Sequence, residues 1–440
     1  MLKKKQSKNE WIGDIPIKWN EKPIRYVFNE IKEKNKLGLV TKALKFTYGT
    51  IISKTDFDAD EDNYVANTIL TYNIVSPGTI MINCLNLNYD FVSQRIGLVK
   101  DNGVITSAYL PIKPINDNVI DSEYANYQLK AWDNVKAFHN MGSGVRKTLD
   151  FNELGKKYIL LPPIEMQKRI VSYLNLKCAE IDALHIDIER QIETLEEYKK
   201  SIITEAVTKG LDPDVEMEDS GIEWIGEINS NFSMGKLGLF SFVTKLAGFE
   251  YTDVMCKSIN NEGNIPIVRA QNVRMLKNNF ESIKEFIDYE TSIKLSRCAL
   301  DKKCLLMTFI GAGIGDVCVF DKRERYHLAP NVAKIEIVDK NKLIDEFVMY
   351  YICSYAGIGE INKISKASAQ PSLSMETIRG IKIVIPTLKE QTEIVQYLNE
   401  KCIAIDDIIT NKREQLETLD QYKKSLIYEY VTGKKEVPED

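Results

Sequence analysis

ETLEEYKKSIITEAVT occupies residues 193–208, and ETLDQYKKSLIYEYVT occupies residues 417–432. Two nearly identical segments 224 positions apart mark an internal duplication, and a duplicated segment implies a duplicated role. Upstream the match runs on without a gap: PPIEMQKRIVSYLNLKCAEID begins at Pro162 and PTLKEQTEIVQYLNEKCIAID begins at Pro386. About half of the aligned positions are identical, all at one offset. Such strict conservation of length suits a rod, in which an insertion would spoil the register.

The apolar pattern agrees with a rod. In the first copy Ile170, Leu174, Cys178, Ile181, Ile188, Ile192, Leu195 and Ile202 recur at steps that place most of them on one helical face. In the second copy the matching positions are Ile394, Leu398, Cys402, Ile405, Lys412, Leu416, Leu419 and Leu426. Proline opens each run, where its missing N–H costs nothing, and Gly210 and Gly433 lie where helices stop. A helix of roughly 60–65 Å with one narrow apolar stripe needs a partner, and the other copy supplies one as a coiled coil. His185 lies near the stripe and is read as structural, because no other histidine or cysteine is spaced to share a ligand with it.

Outside the rods the repetition is fainter. Glu10, Trp11, Ile12 and Gly13 open one globular stretch, and Glu223, Trp224, Ile225 and Gly226 open another. Each stretch ends in a strand-like run leading into proline, YILLP at 158–162 and KIVIP at 382–386. The expected order is a domain at 1–161, a helix at 162–210, an acidic linker at 211–221, a second domain at 222–385, a second helix at 386–433 and a tail at 434–440. The fold class expected is α+β: two strand-rich domains joined by two long helices, with an internal pseudo-two-fold repeat.

The net charge of −5 conceals a division. Residues 1–161 carry 22 Lys and Arg against 18 Asp and Glu, and residues 222–385 carry 21 against 19. The acidity lies in the repeats and the linker, so the globular parts remain free to meet phosphates. With 44% hydrophobic and 28% charged residues the chain has the composition of a globular protein. No apolar run approaches the ~18 residues of a membrane span, and no apolar segment follows the lysines of MLKKKQSKNEWIG, so a cytoplasmic location is expected. The eight cysteines form no CxxC pair and are read as reduced thiols without a metal.

No catalytic constellation is found. The sequence lacks GxxxxGK[ST], HExxH and GxSxG, and it has no Asn/Asp-Pro-Pro-aromatic motif. GAGIG at 311–315 follows a strand-like run, but DVCVF follows it in turn, so a strand–turn–strand is expected rather than a phosphate loop. What both domains do carry is loops that combine cations with amides. Candidate DNA contacts are Asn88, Gln94, Arg95, Ser143, Arg146 and Lys147 in the first domain. In the second they are Arg269, Gln271, Asn272, Arg274, Gln370 and Ser372. Arginine reads guanine, Asn and Gln read adenine, and Lys and Ser hold phosphates.

On these features the chain resembles the specificity subunit of type I restriction–modification systems. The resemblance is carried by the two EWIG openings and by the loops at Gly142, Ser143 and Gly144 and at Ala369, Gln370, Pro371 and Ser372. It is carried most specifically by the helix starts from Pro162 through Gln167 to Ile170 and from Pro386 through Glu390 and Gln391 to Ile394. The family pattern P-P-L-x-E-Q-x-x-I is altered here at Met166 and Thr387. The resemblance implies two target-recognition domains that read the halves of a bipartite, asymmetric site in double-stranded DNA. It implies that the helices pack antiparallel as a spacer and dock two methyltransferase subunits, with restriction or translocase subunits as further partners. S-adenosylmethionine, ATP and Mg would then sit on those partners and no cofactor on this chain, which is not an enzyme by itself. A system that only methylates, or a two-armed scaffold that binds other proteins, are the alternatives.

Overall fold

The computed structural model describes residues 3–54, 69–87, 94–142, 144, 147–365 and 372–438. The chain divides into two compact units, Met1–Ile188 with Arg413–Asp440, and Glu189–Lys412. Among the described residues, no helix is long and apolar enough to cross a membrane.

In the first unit, β1 (Lys4–Gln6) and β2 (Asp14–Pro16) form a hairpin around the EWIG turn, and β3 (Asn20–Pro23) follows. Then come β4 (Phe28–Glu30), β5 (Leu44–Thr47), β6 (Thr50–Ser53), β7 (Asn73–Val75), β8 (Ile80–Ile82), β9 (Ile96–Leu98), β10 (Gly103–Ile105) and β11 (Leu110–Pro114). Four of them form an antiparallel sheet in the order β4-β11-β8-β9. The central strand β8 is buried at every position, so its sequence is continuously apolar instead of alternating. Helix α1 (Ser122–Asn134) starts where the Asp121 side chain accepts from the Tyr124 N–H. After the short α2 (Phe151–Leu154), β12 (Tyr158–Leu161) pairs with β3 and delivers the chain to the long helix α3 (Ile164–Lys209). Trp132 of α1 is fully buried and packs edge-on to Trp11 at 5.4 Å. The same core takes in Ile170, Leu174 and Ile181 from α3 and Leu426 and Val431 from the far end of the second long helix.

The second unit repeats this frame. A hairpin of β13 (Met217–Asp219) and β14 (Glu227–Asn229) holds the second EWIG turn, so the segment expected as a linker contains a strand. Next are β15 (Ser233–Lys236), β16 (Ser241–Lys245), α4 (Gly248–Asp253), β17 (Ile265–Val268), β18 (Val273–Arg274), β19 (Lys277–Asn278) and β20 (Phe286–Ile287). They are followed by α5 (Tyr289–Lys294), β21 (Ala299–Leu300), β22 (Cys304–Thr308), β23 (Val317–Phe320), β24 (Tyr326–Leu328) and β25 (Val332–Ile337). The antiparallel sheet β16-β25-β22-β23 has the strand order of its counterpart in the first unit. Helices α6 (Asp345–Cys353), α7 (Tyr355–Ser365) and α8 (Met375–Gly380) precede β26 (Lys382–Ile385), which pairs with β15 and leads into α9 (Leu388–Val431). A further sheet, β20-β17-β24-β21, is found in this unit, with Phe280, Phe320 and Tyr326 stacked in the core it shares.

The long helices run over Ile164–Lys209 and Leu388–Val431, against a sequence expectation of 162–210 and 386–433. Their packing direction is visible inside each unit. In the first, Lys423 reaches Asp182 and Tyr430 reaches Tyr173. In the second, Lys199 reaches Asp406 and Lys412 reaches Gln191. As one number rises the other falls, so the helices pack antiparallel. Ile170, Leu174, Ile181, Ile192, Ile394, Leu398 and Ile405 are buried, whereas Ile188, Leu195, Leu416 and Leu419 are half-buried.

Each helix start is latched by one buried glutamine. Gln167 accepts from the Asp121 N–H at 2.9 Å and donates to Val119 and Pro162 oxygens at 3.0 and 2.8 Å. Gln391 accepts from the Ile344 N–H at 3.0 Å and donates to Lys342 and Pro386 oxygens, at 2.8 and 2.9 Å. Each helix stops at a glycine with positive φ, Gly210 at +85° and Gly433 at +67°. A Cβ on Gly433 would also come within 2.6 Å of the Pro16 ring.

Candidate nucleic-acid interface

In the second unit two of the candidates, Arg274 and Ser372, lie at one end of the four-stranded sheet. GAGIG is the turn of the β22–β23 hairpin, with Gly311 and Gly315 at φ of +103° and +91°, which confirms a strand–turn–strand. The segment after the 366–371 stretch docks beside it: Ile310 bridges to Ser372, and the Leu373 N–H donates to the Phe309 oxygen at 2.9 Å. Ser372 is exposed. Arg274 approaches from β18, its guanidinium 4.0 Å from the Asp316 carboxylate and 60% exposed. Burial pushes the Asp316 carboxyl up, and Arg274 pulls it back. Lys245, at the end of β16, lies over the Phe309 ring at 4.9 Å. An exposed arginine fork, a lysine and a hydroxyl thus flank a turn whose glycines let a phosphate approach the backbone.

The 269–272 segment divides. Gln271 is exposed, with its amide available. The Arg269 guanidinium is already paired with Glu285. Asn272 is a correction to the expected set. It is 1% exposed, accepts from the Arg269 N–H and donates to the Asn279 oxygen and Ser282, so its amide shapes the loop and cannot reach a base.

The first unit repeats the docking of the two loops. The Leu149 N–H donates to the Cys84 oxygen at 3.1 Å, as Leu373 does to Phe309. Arg95 is the second correction. It is 1% exposed, and its guanidinium donates to the oxygens of Asn83, Leu85 and Asn86, at 3.1, 2.8 and 3.2 Å. It clamps the 83–87 loop from within and presents nothing to a duplex. Gln94 is exposed beside the β5–β6 turn. Lys147 is half-buried at φ +36°, with its amine 3.4 Å from the His139 oxygen and its own carbonyl accepting from the Leu87 N–H. Asn88, Ser143, Arg146 and Gln370 lie outside the described residues.

Lys245 was not among the candidates. The only signal for it is its place at the C-terminal end of the strand SFVTK, where a side chain meets the loops of the sheet. Cys84, Cys304 and Cys318 carry no reactive signature: burial raises their thiols to about 12.

The sequence profile of the type I restriction modification DNA specificity domain matches residues 252–418. The chain is 25% identical to the type I restriction enzyme MjaX specificity subunit of Methanocaldococcus jannaschii, over 98% of this chain and 97% of that protein. It is also 25% identical to the MjaVIII specificity subunit of the same organism, over 76% of this chain and 74% of that one. Among solved structures, a chain described in connection with complex assembly and conformational transition of the type I R-M system aligns with a TM-score of 0.69. It covers 95% of this chain and 99% of that one at 14% identity. The HsdS subunit from Thermoanaerobacter tengcongensis aligns with a TM-score of 0.50, again at 14% identity, over 95% and 98% of the two chains. At that identity the structures establish a shared fold. Residues 252–418 carry the match to the type I restriction modification DNA specificity domain, and over nearly its whole length the chain is similar to a type I restriction enzyme specificity subunit.

Proposed function

We propose that this chain reads a bipartite, asymmetric DNA site, one half with each domain. The two long helices act as the spacer and dock methyltransferase subunits. S-adenosylmethionine and the adenine chemistry belong to those subunits, and ATP and Mg to any translocase that joins them; this chain supplies sequence choice and no reaction. The observation that carries the reading is the combination of one repeated frame with different loop ends. The sheet order, the glutamine latches and the docked loops recur, while among the described candidates the second domain exposes Arg274 and Gln271, with Lys245 half-buried, and the first exposes Gln94. One frame with two sets of reading groups is what an asymmetric site requires.

The test is to co-express the chain with a methyltransferase subunit and map methylated adenines in host DNA. A single split motif with a constant gap supports the reading; scattered or absent methylation beside a stable complex overturns it. Arg274 is assigned to base reading. Arg274→Ala should weaken binding by about 1–3 kcal/mol and relax one position of the site. An equal loss on all sequences would make it a phosphate contact instead.

A further inference from the structure

The first unit contains a cleft of 540 Å³ that the proposed function does not use. Its floor is one face of α1, where Glu123, Asn126, Tyr127 and Lys130 follow at helical spacing. Its walls include Ile52, Leu98 and Lys100. One end is closed by paired groups: the Tyr127 hydroxyl donates to Asn175 at 2.7 Å, and Asn175 donates to Glu123 at 3.0 Å. The other end is not. Asn126 is 7% exposed, and its Oδ1 has no partner among the described residues. Lys130 is half-buried and Lys100 exposed, and no described carboxylate forms an ion pair with either. Burial and then the nearby Lys423 amine hold the Lys130 amine below its usual range, and Lys100 adds to the repulsion.

The second unit provides an internal control. Helix α6 repeats α1, and the Tyr350 hydroxyl donates to Asn399 at 2.8 Å just as Tyr127 does to Asn175. There the positions of Asn126 and Lys130 are taken by Met349 and Cys353, 7% and 1% exposed. The Leu276 backbone, in the β18–β19 turn, hydrogen-bonds the Cys353 thiol. The frame therefore requires neither the lysines nor the amide, and an apolar solution exists in the same chain. Keeping a buried, unpaired amide oxygen and a half-buried cation is costly unless a ligand completes them.

We propose that this cleft binds a nucleotide, with its phosphate between Lys100 and Lys130, a hydroxyl or exocyclic amine donating to Asn126, and its ring or sugar against Ile52 and Leu98. The volume lies within the ~300–1,000 Å³ of small-ligand sites. The same chemistry is offered by a free mononucleotide and by a nucleotide within a DNA strand. The purified full chain is titrated with adenosine 5′-monophosphate by calorimetry and with a random-sequence duplex by anisotropy across a salt series. Two variants are compared with it. Lys100→Met alters an exposed side chain and leaves folding intact. The double variant Asn126→Met, Lys130→Cys copies the second domain, and its thermal midpoint is checked.

Binding of the mononucleotide, weakened by about tenfold or more in Lys100→Met with duplex affinity unchanged, identifies a free-nucleotide site. No mononucleotide binding, but a weaker duplex complex whose log–log salt slope drops by about one, identifies a strand phosphate. No mononucleotide binding and an unchanged duplex complex overturn the proposal. The calorimetric arm is independent of the methylation map, so this inference and the proposed function fail separately.

Discussion

The two domains of this chain share a frame and differ in what is built on it. Both pair the strand after the EWIG hairpin with the strand that leads into a long helix. Both lay four antiparallel strands in the same order, and both latch the helix start with a buried glutamine. Over the β22–β23 side of its frame the second domain adds the β18–β19 hairpin and a separate sheet. The first carries the hairpin β5–β6 and the antiparallel pair β7–β10 instead. The frame is a stability problem solved once, and the additions are where ligands can differ.

The glutamine latches test the shared half of that comparison most severely. Gln167→Ala would orphan the Asp121 N–H and the Val119 and Pro162 oxygens; Gln391→Ala would orphan the equivalent three groups. One bond of each latch is buried and two are part-buried; an unsatisfied buried group costs on the order of 1–3 kcal/mol and a part-buried one less, so each variant should lose about 3 kcal/mol. Urea unfolding should give losses within about 1 kcal/mol of each other. A tolerant Gln391 beside an intolerant Gln167 would break the equivalence of the two frames.

The rods were legible in the sequence, and the shared frame was not. At one constant offset the helices retain identities such as Tyr173 with Tyr397 and Lys199 with Lys423, because a packed seam fixes residue type and spacing together. A sheet strand needs only to be apolar where it is buried. IMI at β8 and CLLMT at β22 occupy the same place without a matching residue pattern, so sequence comparison passed over them. The binding residues were half legible for a related reason. Residue type marks Arg95 and Arg274 alike as readers of DNA, but burial separates them, and burial of a loop arginine depends on which carbonyls the fold brings around it. Asn272 misled in the same way. The strand inside 211–221 was hidden by its acidic composition, since Met217–Asp219 pairs through its backbone.

A smaller effect separates the domains by pH. His327 is fully buried in the second, each ring nitrogen near a carbonyl, at 3.0 and 3.1 Å. Burial holds its pKa below the ordinary value of 6.5. The unfolded chain therefore takes up the proton first as pH falls. The contribution is fully present above 6.5 and is lost as pH drops from there through the folded value. Thermal unfolding followed between pH 7.5 and 5 should show the second unit losing stability over that window. His327→Asn should flatten that part of the profile. An unchanged profile would remove His327 as its source.

The smallest expected effect lies in the seam. Lys199–Asp406 and Lys423–Asp182 are the same ion pair in the two copies, one in each unit. Their surroundings differ: side-chain exposure is 13% and 26% in the first pair but 30% and 58% in the second. Lys277 of the β18–β19 hairpin adds a second cation to Asp406, at 3.0 Å. Burial raises the Asp406 carboxyl, but hydrogen bonds from Lys199 and Lys277 outweigh it and hold the group below its ordinary range. Exposed pairs contribute about 0.2–1 kcal/mol, so Lys423→Met should cost near the bottom of that range and Lys199→Met near the top. Double-mutant cycles with Asp182→Asn and Asp406→Asn would measure each coupling. Equal couplings would mean that the added hairpin stands on the frame without strengthening it, and that the additions can be exchanged freely while the rods stay as they are.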